Sequence, residues 1–315
     1  MSVPDKFPKI SVVTPSFNQG DFIEDTILSV IGQGYPNLEY IVIDGGSTDN
    51  TIEVLKKYQS HFAYWVSEKD NGQASAINRG FALATGDIYC WLNSDDMFLP
   101  GTLKFVSDRV NVNKAEVLIG NCIHVKEGTG IAIGSDVAAD HCRHNILWCG
   151  YILQPSSFWT KQVWKNAGPL DEKLKYMLDW DWFIRAKIAN AEFKVVEKQL
   201  SIYRIHPAHK SSFGGVTRVN ELRNIYRKYH LVKGEAIFDT LNGSLGKAMF
   251  ARKFINLQRK YLSDLQNIGL VSHNKPSVVF GQILLLTGSV ALIVMYPMLV
   301  LRYSMQEIRD VLRML

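Results

Sequence analysis

The sequence predicts an α/β protein with a mainly parallel sheet, on three observations. Short β-branched runs alternate with helix-length amphipathic stretches from Ile10 onward. Polar clusters follow these runs at residues 14–18, 44–49 and 93–96. The 315 residues, 47% hydrophobic and 21% charged, suffice for a sizeable core and have a globular composition. Alternating strands and helices imply a sheet covered on both faces. Ligands in such sheets bind beyond the carboxyl ends of the strands, where the polar clusters stand.

The elements follow in order. Residues 10–14 are β-branched and stop at Pro15, which reads as a buried strand. Asp21 and Glu24, ahead of Ile27, Leu28 and Ile31, give a capped helix start. Residues 39–43 form a second strand that ends at Asp44-Gly45-Gly46, and 51–58 a second helix. A third strand over 62–66 leads to a third helix over 74–84, stopped by Gly86. Residues 88–92 and 117–120 complete the strands. No GxGxxG or GxxxxGK[ST] follows any strand, so a dinucleotide oxidoreductase and a P-loop NTPase are unsupported.

Charge and hydropathy set the remainder apart. Residues 217–275 carry eleven Lys/Arg against four Asp/Glu, a local +7 within a net charge of +5. From Pro276 to Leu301 there is no charged residue. The 24 residues of 278–301 would span roughly 36 Å as a helix, enough to cross a bilayer. A buried core helix is the alternative, and Gly288 and Pro297 leave a re-entrant segment open. Basic residues before the run place the preceding chain on the cytoplasmic side. Residues 250–268 repeat apolar positions at helical spacing, as do Met305, Ile308, Leu312 and Leu315, so either could lie on a membrane surface. Nothing matches a nucleic-acid reading module, so no nucleic-acid partner is expected. Cys90, Cys122, Cys142 and Cys149 are too few and too scattered for a disulfide scaffold or a CxxC metal site. Residues 1–9 lack the apolar core of a secretory signal. The expected organisation is 1–215 catalytic, 216–275 a basic helical extension, 276–303 a membrane segment and 304–315 an amphipathic tail.

Four segments carry a resemblance. ISVVTPSFNQGDFIEDTILSV, EYIVIDGGSTDNT, NGQASAINRGFALATGD and WLNSDD, in this order over residues 10–100, resemble the family 2 glycosyltransferases. YMLDWDWFIR and YRIHPAHKS extend the likeness to residue 211. The resemblance implies the GT-A fold, a Rossmann-like mainly parallel sheet flanked by helices; the C-terminal helical extension and the membrane-associated apolar helix, read from charge and hydropathy, lie outside it. It implies inverting transfer of a sugar from a nucleotide-diphosphate sugar, a UDP-sugar in particular; the apolar tail, which would bring the site to a membrane surface, makes a lipid-linked saccharide the expected acceptor, with a protein or free sugar as the alternative. It also implies Mg²⁺ or Mn²⁺, hard cations that take carboxylate, phosphate and water oxygens.

Carried over residue by residue, the family's Asp-x-Asp becomes Asn93-Ser94-Asp95, followed by Asp96. Asp95 is the implied metal ligand, and a solvated turn is the alternative. Thr14 and Pro15 match the segment that meets the base through backbone, with Asn18 beside it. Asp44 matches the base or ribose contact. Gly72 and Gln73 open a helix whose N–H groups can meet phosphate or sugar, and Asn78 lies further along it. Asp49 is either a donor contact or a helix cap, and Arg79 either a phosphate partner or a surface arginine. Asp179 occupies the place of the general base, with Leu178 where the family has Glu. Asp181 and Arg185, four apart, form an intrahelical ion pair. His206 follows on a segment able to reach metal or pyrophosphate, with His209 and Lys210 beside it. His141 and His144 have no second ligand pair at zinc spacing. All seven tryptophans precede residue 183, and an ordinary core suits most of them. Gln154 is a candidate acceptor-loop contact.

The reading is an inverting glycosyltransferase on the cytoplasmic face of the cell membrane, acting in polysaccharide assembly. Its rivals are a non-catalytic membrane-anchored sugar-nucleotide scaffold, favoured by Asn93 and Leu178, and a nucleotidyltransferase, which lacks its Gly-rich basic loop.

Overall fold

The computed structural model describes residues 7–129, 131–136, 146, 152–207, 210, 215–232 and 234–235. The expected membrane segment 276–303, the tail 304–315, the helix 250–268, His141, His144, Cys142, Cys149, Trp148 and His209 lie outside them. No helix among the described residues is long and apolar enough to cross a membrane. The chain divides into two units, Met1–Leu222 and Arg223–Leu315.

The first unit is built on a nine-stranded sheet. Four strands lie parallel in the order β3 (Tyr64–Ser67), β2 (Leu38–Asp44), β1 (Ile10–Ser16) and β4 (Ile88–Trp91). β1 is central and wholly buried because its residues alternate between two covered faces. Ile10 and Val12 pack with Ile23, Ile27 and Val30 of helix α1 (Ile23–Ile31) and Leu55 of α2 (Thr51–Tyr58). On the other face, α3 (Gln73–Leu83) crosses so closely that a Cβ on Gly80 would lie 2.4 Å from Val13 Cγ1. Glycine at this position lets the helix settle onto the strand and brings its first turn to the sheet's carboxyl edge.

The sheet continues through β8 (Ser157–Thr160), β6 (Glu116–Lys126), β9 (Glu192–Ile205) and β5 (Met97–Phe98), with β7 (Ile131–Asp136) pairing β6. Here the expected topology needs correction. β4–β8, β6–β8, β6–β7 and β5–β9 are antiparallel, so the sheet is mixed rather than mainly parallel. A second correction concerns α1. Its N-cap residue is Phe22 with no side-chain cap, and Gln19 O receives the N–H groups of Phe22 and Ile23 instead.

Two short helices, α4 (Thr102–Ser107) and α5 (Lys161–Ala167), complete the cover with α6 (Leu178–Ile188), and α7 (Gly215–Lys228) follows β9 in the chain. Trp159 and Trp182 meet at 4.7 Å between ring centroids, and Trp91 lies 5.2 Å from Trp159. The tryptophans form core here, as the bland expectation had it. Arg185 pairs with buried Asp181 and also donates to Ala167 O, tying α6 to the end of α5. In the second unit the described residues end the last helix, where Arg227 pairs with Glu235 at 2.6 Å.

Candidate active site

A cleft of about 690 Å³ opens at the carboxyl ends of β1, β2 and β4. Among the residues named above, Pro15, Gly72, Gln73, Asn93, Ser94, Asp95, Gln154, Asp179 and Lys210 line it.

The turn after β4 is held from below. Thr26 on α1 donates its hydroxyl to Ser94 O (2.9 Å) and Asp96 O (2.7 Å). Asp96 is fully buried beneath the cleft. Burial, and then the neighbouring Asp95 charge, push its carboxyl well above the usual range. It accepts from Arg204 N and from the Asn93 amide, both at 3.3 Å. Asp95 is the acid that reaches the cleft, and its side chain is 21% exposed.

Strand register places His206 against it. β5 follows the turn and pairs antiparallel with β9, Met97 opposite Ile202 and Phe98 opposite Ser201. Residues beyond Ile202 therefore run back past Asp96 and Asp95. His206 Nε2 lies 3.2 Å from Asp95 Oδ2, and the ring packs on Phe22 at 4.2 Å. The imidazole is buried behind the carboxylate instead of lining the cleft.

Asn93 carries an amide relay. Its Oδ1 accepts from Gln73 Nε2 (2.8 Å), and its Nδ2 donates to Asp96 and to Gln154 Oε1 (3.3 Å). Gln154 donates onward to Trp91 O (2.7 Å), and Lys210 donates to Gln73 Oε1 (2.6 Å). A carboxylate at position 93 has no proton for Asp96 or Gln154. The amide that breaks the family's Asp-x-Asp pattern is the group this network needs.

Asp179 stands in the first turn of α6 and accepts the Trp180 N–H at 2.7 Å. Desolvation raises its carboxyl above the ordinary value, against the Trp180 bond and the Lys210 and Arg218 charges. Burial lowers the Lys210 ammonium. A carboxylate made more basic inside a cleft suits proton abstraction.

Several of the expected contact residues make bonds within the chain. Asp44 is fully buried and accepts from Gly46 N, Ser47 N, Ser47 Oγ and Ser67 Oγ, so its carboxylate shapes the loop and Gly45 meets the cleft. Thr14 is buried against Tyr40 OH at 3.2 Å. Asn18, at φ 51°, accepts the Thr48 N–H and joins two loops. Asn78 clamps Leu170, accepting its N–H at 2.8 Å and donating to its carbonyl at 3.0 Å. Asp49 accepts the N–H groups of Thr51 and Gly20 but is not the cap of α2, whose N-cap residue is Asn50 without a side-chain cap, and Arg79 pairs with Glu68 at 2.8 Å, as a surface arginine would.

Phe17, Lys69, Asp70, Lys175, Tyr176 and Tyr203 also line the cleft and escaped the sequence reading. Phe17 is 59% exposed, a flat apolar ring at a strand's end. Asp70 Oδ1 accepts Gly72 N at 2.7 Å and supports that glycine's φ of 109°. Its signal was Asp-x-Gly directly before a helix.

The family description "Glycosyl transferase family 2" matches residues 11–151, which include the turn after β4 and its Asp95. This segment belongs to glycosyl transferase family 2. An uncharacterised glycosyltransferase of Nostoc sp. is 27% identical over 216 residues, 64% of this chain and 66% of that protein. The GalNAc(5)-diNAcBac-PP-undecaprenol beta-1,3-glucosyltransferase of Campylobacter jejuni is 34% identical over 125 residues, 38% of this chain and 40% of that one. Staphylococcus aureus TarS 1–349, solved with UDP-GlcNAc, superposes with a TM-score of 0.57 at 20% identity, covering 73% of this chain and 71% of that one. The likeness to TarS shows a shared fold, and the mixed sheet with flanking helices fits the GT-A arrangement. The chain spans about two thirds of the Nostoc protein's length and 40% of the Campylobacter protein's.

Proposed function

We propose that the chain is an inverting glycosyltransferase that moves a sugar from a UDP-sugar to a lipid-linked saccharide, with Asp179 as general base. One observation carries this reading. A single cleft joins an anion-managing turn, Asp95 backed by His206, to a separate carboxylate whose basicity burial raises. The acceptor hydroxyl oxygen attacks the anomeric carbon, and its proton passes to Asp179. The bond from that carbon to the β-phosphate oxygen breaks, and the nucleoside diphosphate leaves.

Among the described residues no three His, Cys, Asp or Glu side chains cluster as a metal set. The donors that are present, one Asp95 oxygen with an imidazole behind it, fit a cation that completes its shell with pyrophosphate and water. Asp95 would hold Mg²⁺ or Mn²⁺, which when bound neutralises charge on the leaving phosphate. Phe17 offers a face to a nucleobase, and Gln73, Asn93 and Gln154 fix the cleft floor between the two carboxylates. The lipid-linked acceptor is supported by the Campylobacter relative's name and by the apolar run 276–303, which would anchor the enzyme at the cytoplasmic face of the membrane.

The test is a screen of nucleotide sugars by thermal shift with and without Mn²⁺, followed by product analysis with an undecaprenyl-diphosphate saccharide. Stabilisation by a UDP-sugar and release of UDP on acceptor addition are expected. Release of pyrophosphate would indicate nucleotidyl transfer, and donor binding with no turnover on any acceptor would favour the scaffold reading.

A further inference from the structure

The sequence gives the base helix a poor start. Met177 is its N-cap residue and makes no side-chain cap, and Leu178 follows it. Neither side chain can accept a backbone N–H, yet the first N–H groups of a helix have no partners within it. In the structure the N-cap residue and the two residues before it are held from α7. Glu221 is 7% exposed, and its Oε1 accepts Lys175 N at 2.8 Å. Its Oε2 accepts Tyr176 N at 2.8 Å and Met177 N at 3.0 Å. Three consecutive amides on one carboxylate make charge-assisted bonds, and a negative charge here also suits the helix dipole.

The clamped residues are not incidental. Lys175, Tyr176 and Leu178 line the cleft together with Asp179. Asp179 comes two residues after the last clamped amide, so the rotation of this turn sets where its carboxylate points. We infer that Glu221 is a positioning residue for the proton-abstraction step, holding the 175–177 turn so that Asp179 meets the acceptor hydroxyl. The inference rests on Asp179 being the base. It extends the transfer machinery past residue 215, into a helix that the family motifs do not reach.

The donor side hangs on different supports. Asp95 and Asn93 follow β4 and are held by Thr26, Gln73 and Gln154. Loss of the Glu221 clamp therefore acts on turnover and leaves donor binding alone.

The test uses full-length protein with Glu221→Gln, Glu221→Ala and Asp179→Asn, singly and combined. The carboxamide in Glu221→Gln keeps the volume but retains one acceptor oxygen, so kcat should fall about tenfold, and about a hundredfold in Glu221→Ala, with the UDP-sugar Kd unchanged within about twofold. In the Asp179→Asn background Glu221→Gln should cost less than about twofold more, because a residue that acts through the base has little left to act on. Unchanged kcat in Glu221→Gln and Glu221→Ala would overturn the inference. So would a Kd that rises in step with the loss of kcat, or full multiplicative loss in the Asp179→Asn background. A slow Asp179→Asn beside a fully active Glu221→Gln overturns the Glu221 role alone. A fully active Asp179→Asn overturns the base assignment itself.

Discussion

Asp95 and Asn93 stand on one turn and differ in what they can give. Asp95 reaches the cleft, and Asp95→Ala should lower transfer by about a hundredfold or more, roughly 3 kcal/mol of leaving-group stabilisation, in steady-state kinetics. Asn93→Ala should be milder. Asn93→Asp is the more telling change, since it restores the family's acid. It removes the proton offered to Asp96 and Gln154 and sets a charge against a buried carboxyl. Leaving those acceptors unpaired costs about 1–3 kcal/mol, so the unfolding midpoint and the donor affinity should both fall. Asp179 predicts a pH signature. Its pKa is raised, so kcat/KM should climb through an acid limb above the ordinary carboxylate value. The same shift means that the folded state binds the proton more tightly than the unfolded state. Stability is therefore lost as pH rises through that window, and Asp179→Asn should melt higher than wild type at neutral pH. An unchanged limb in the Asn variant would assign it to another group.

At the scale of elements, legibility followed locality. The strands near Ile10, Leu38 and Ile88 announce themselves by β-branched runs, and α2 by its bounds. β5 has two residues, too short for any periodic signal, and it exists because β9 pairs with it. β9 runs over fourteen residues without a clean alternation, since Val195-Val196 and the polar run Glu197-Lys198-Gln199 break the period, so no simple strand pattern marks it. Asp95 and His206 are both named from the sequence, but their contact is not, since it depends on the register of β9. Asp44, Asn18 and Asn78 show a second limit of the local pattern. Their residue types suit ligand contacts, and only the fold reveals that loop amides occupy them. Thr26 supports the Asp95 turn from α1, a bond across sequence that no local pattern foretells. Thr26→Val keeps its shape and strips two buried carbonyls of a donor. It should destabilise the fold by about 1–3 kcal/mol and weaken donor binding, while leaving the acid limb of the pH profile in place.

The whole molecule joins a cleft in the first unit to a chain that continues, basic and then uncharged, past the described residues. If residues 276–303 insert in a bilayer, truncation before Pro276 should give a more soluble enzyme that binds UDP-sugar normally and works poorly on lipid-linked acceptor. Basic residues of 217–275 would contribute on the order of 1 kcal/mol each near anionic headgroups, so residual vesicle binding should weaken with salt. The central claim concerns the cleft and not its anchor. It is tested most directly by following UDP release and saccharide transfer together for wild type and Asp179→Asn, with donor Kd measured alongside. The account predicts equal molar release and transfer in wild type, a turnover lower by about 10² to 10⁴-fold in the variant, and an unchanged Kd. Near-normal transfer by Asp179→Asn would contradict it.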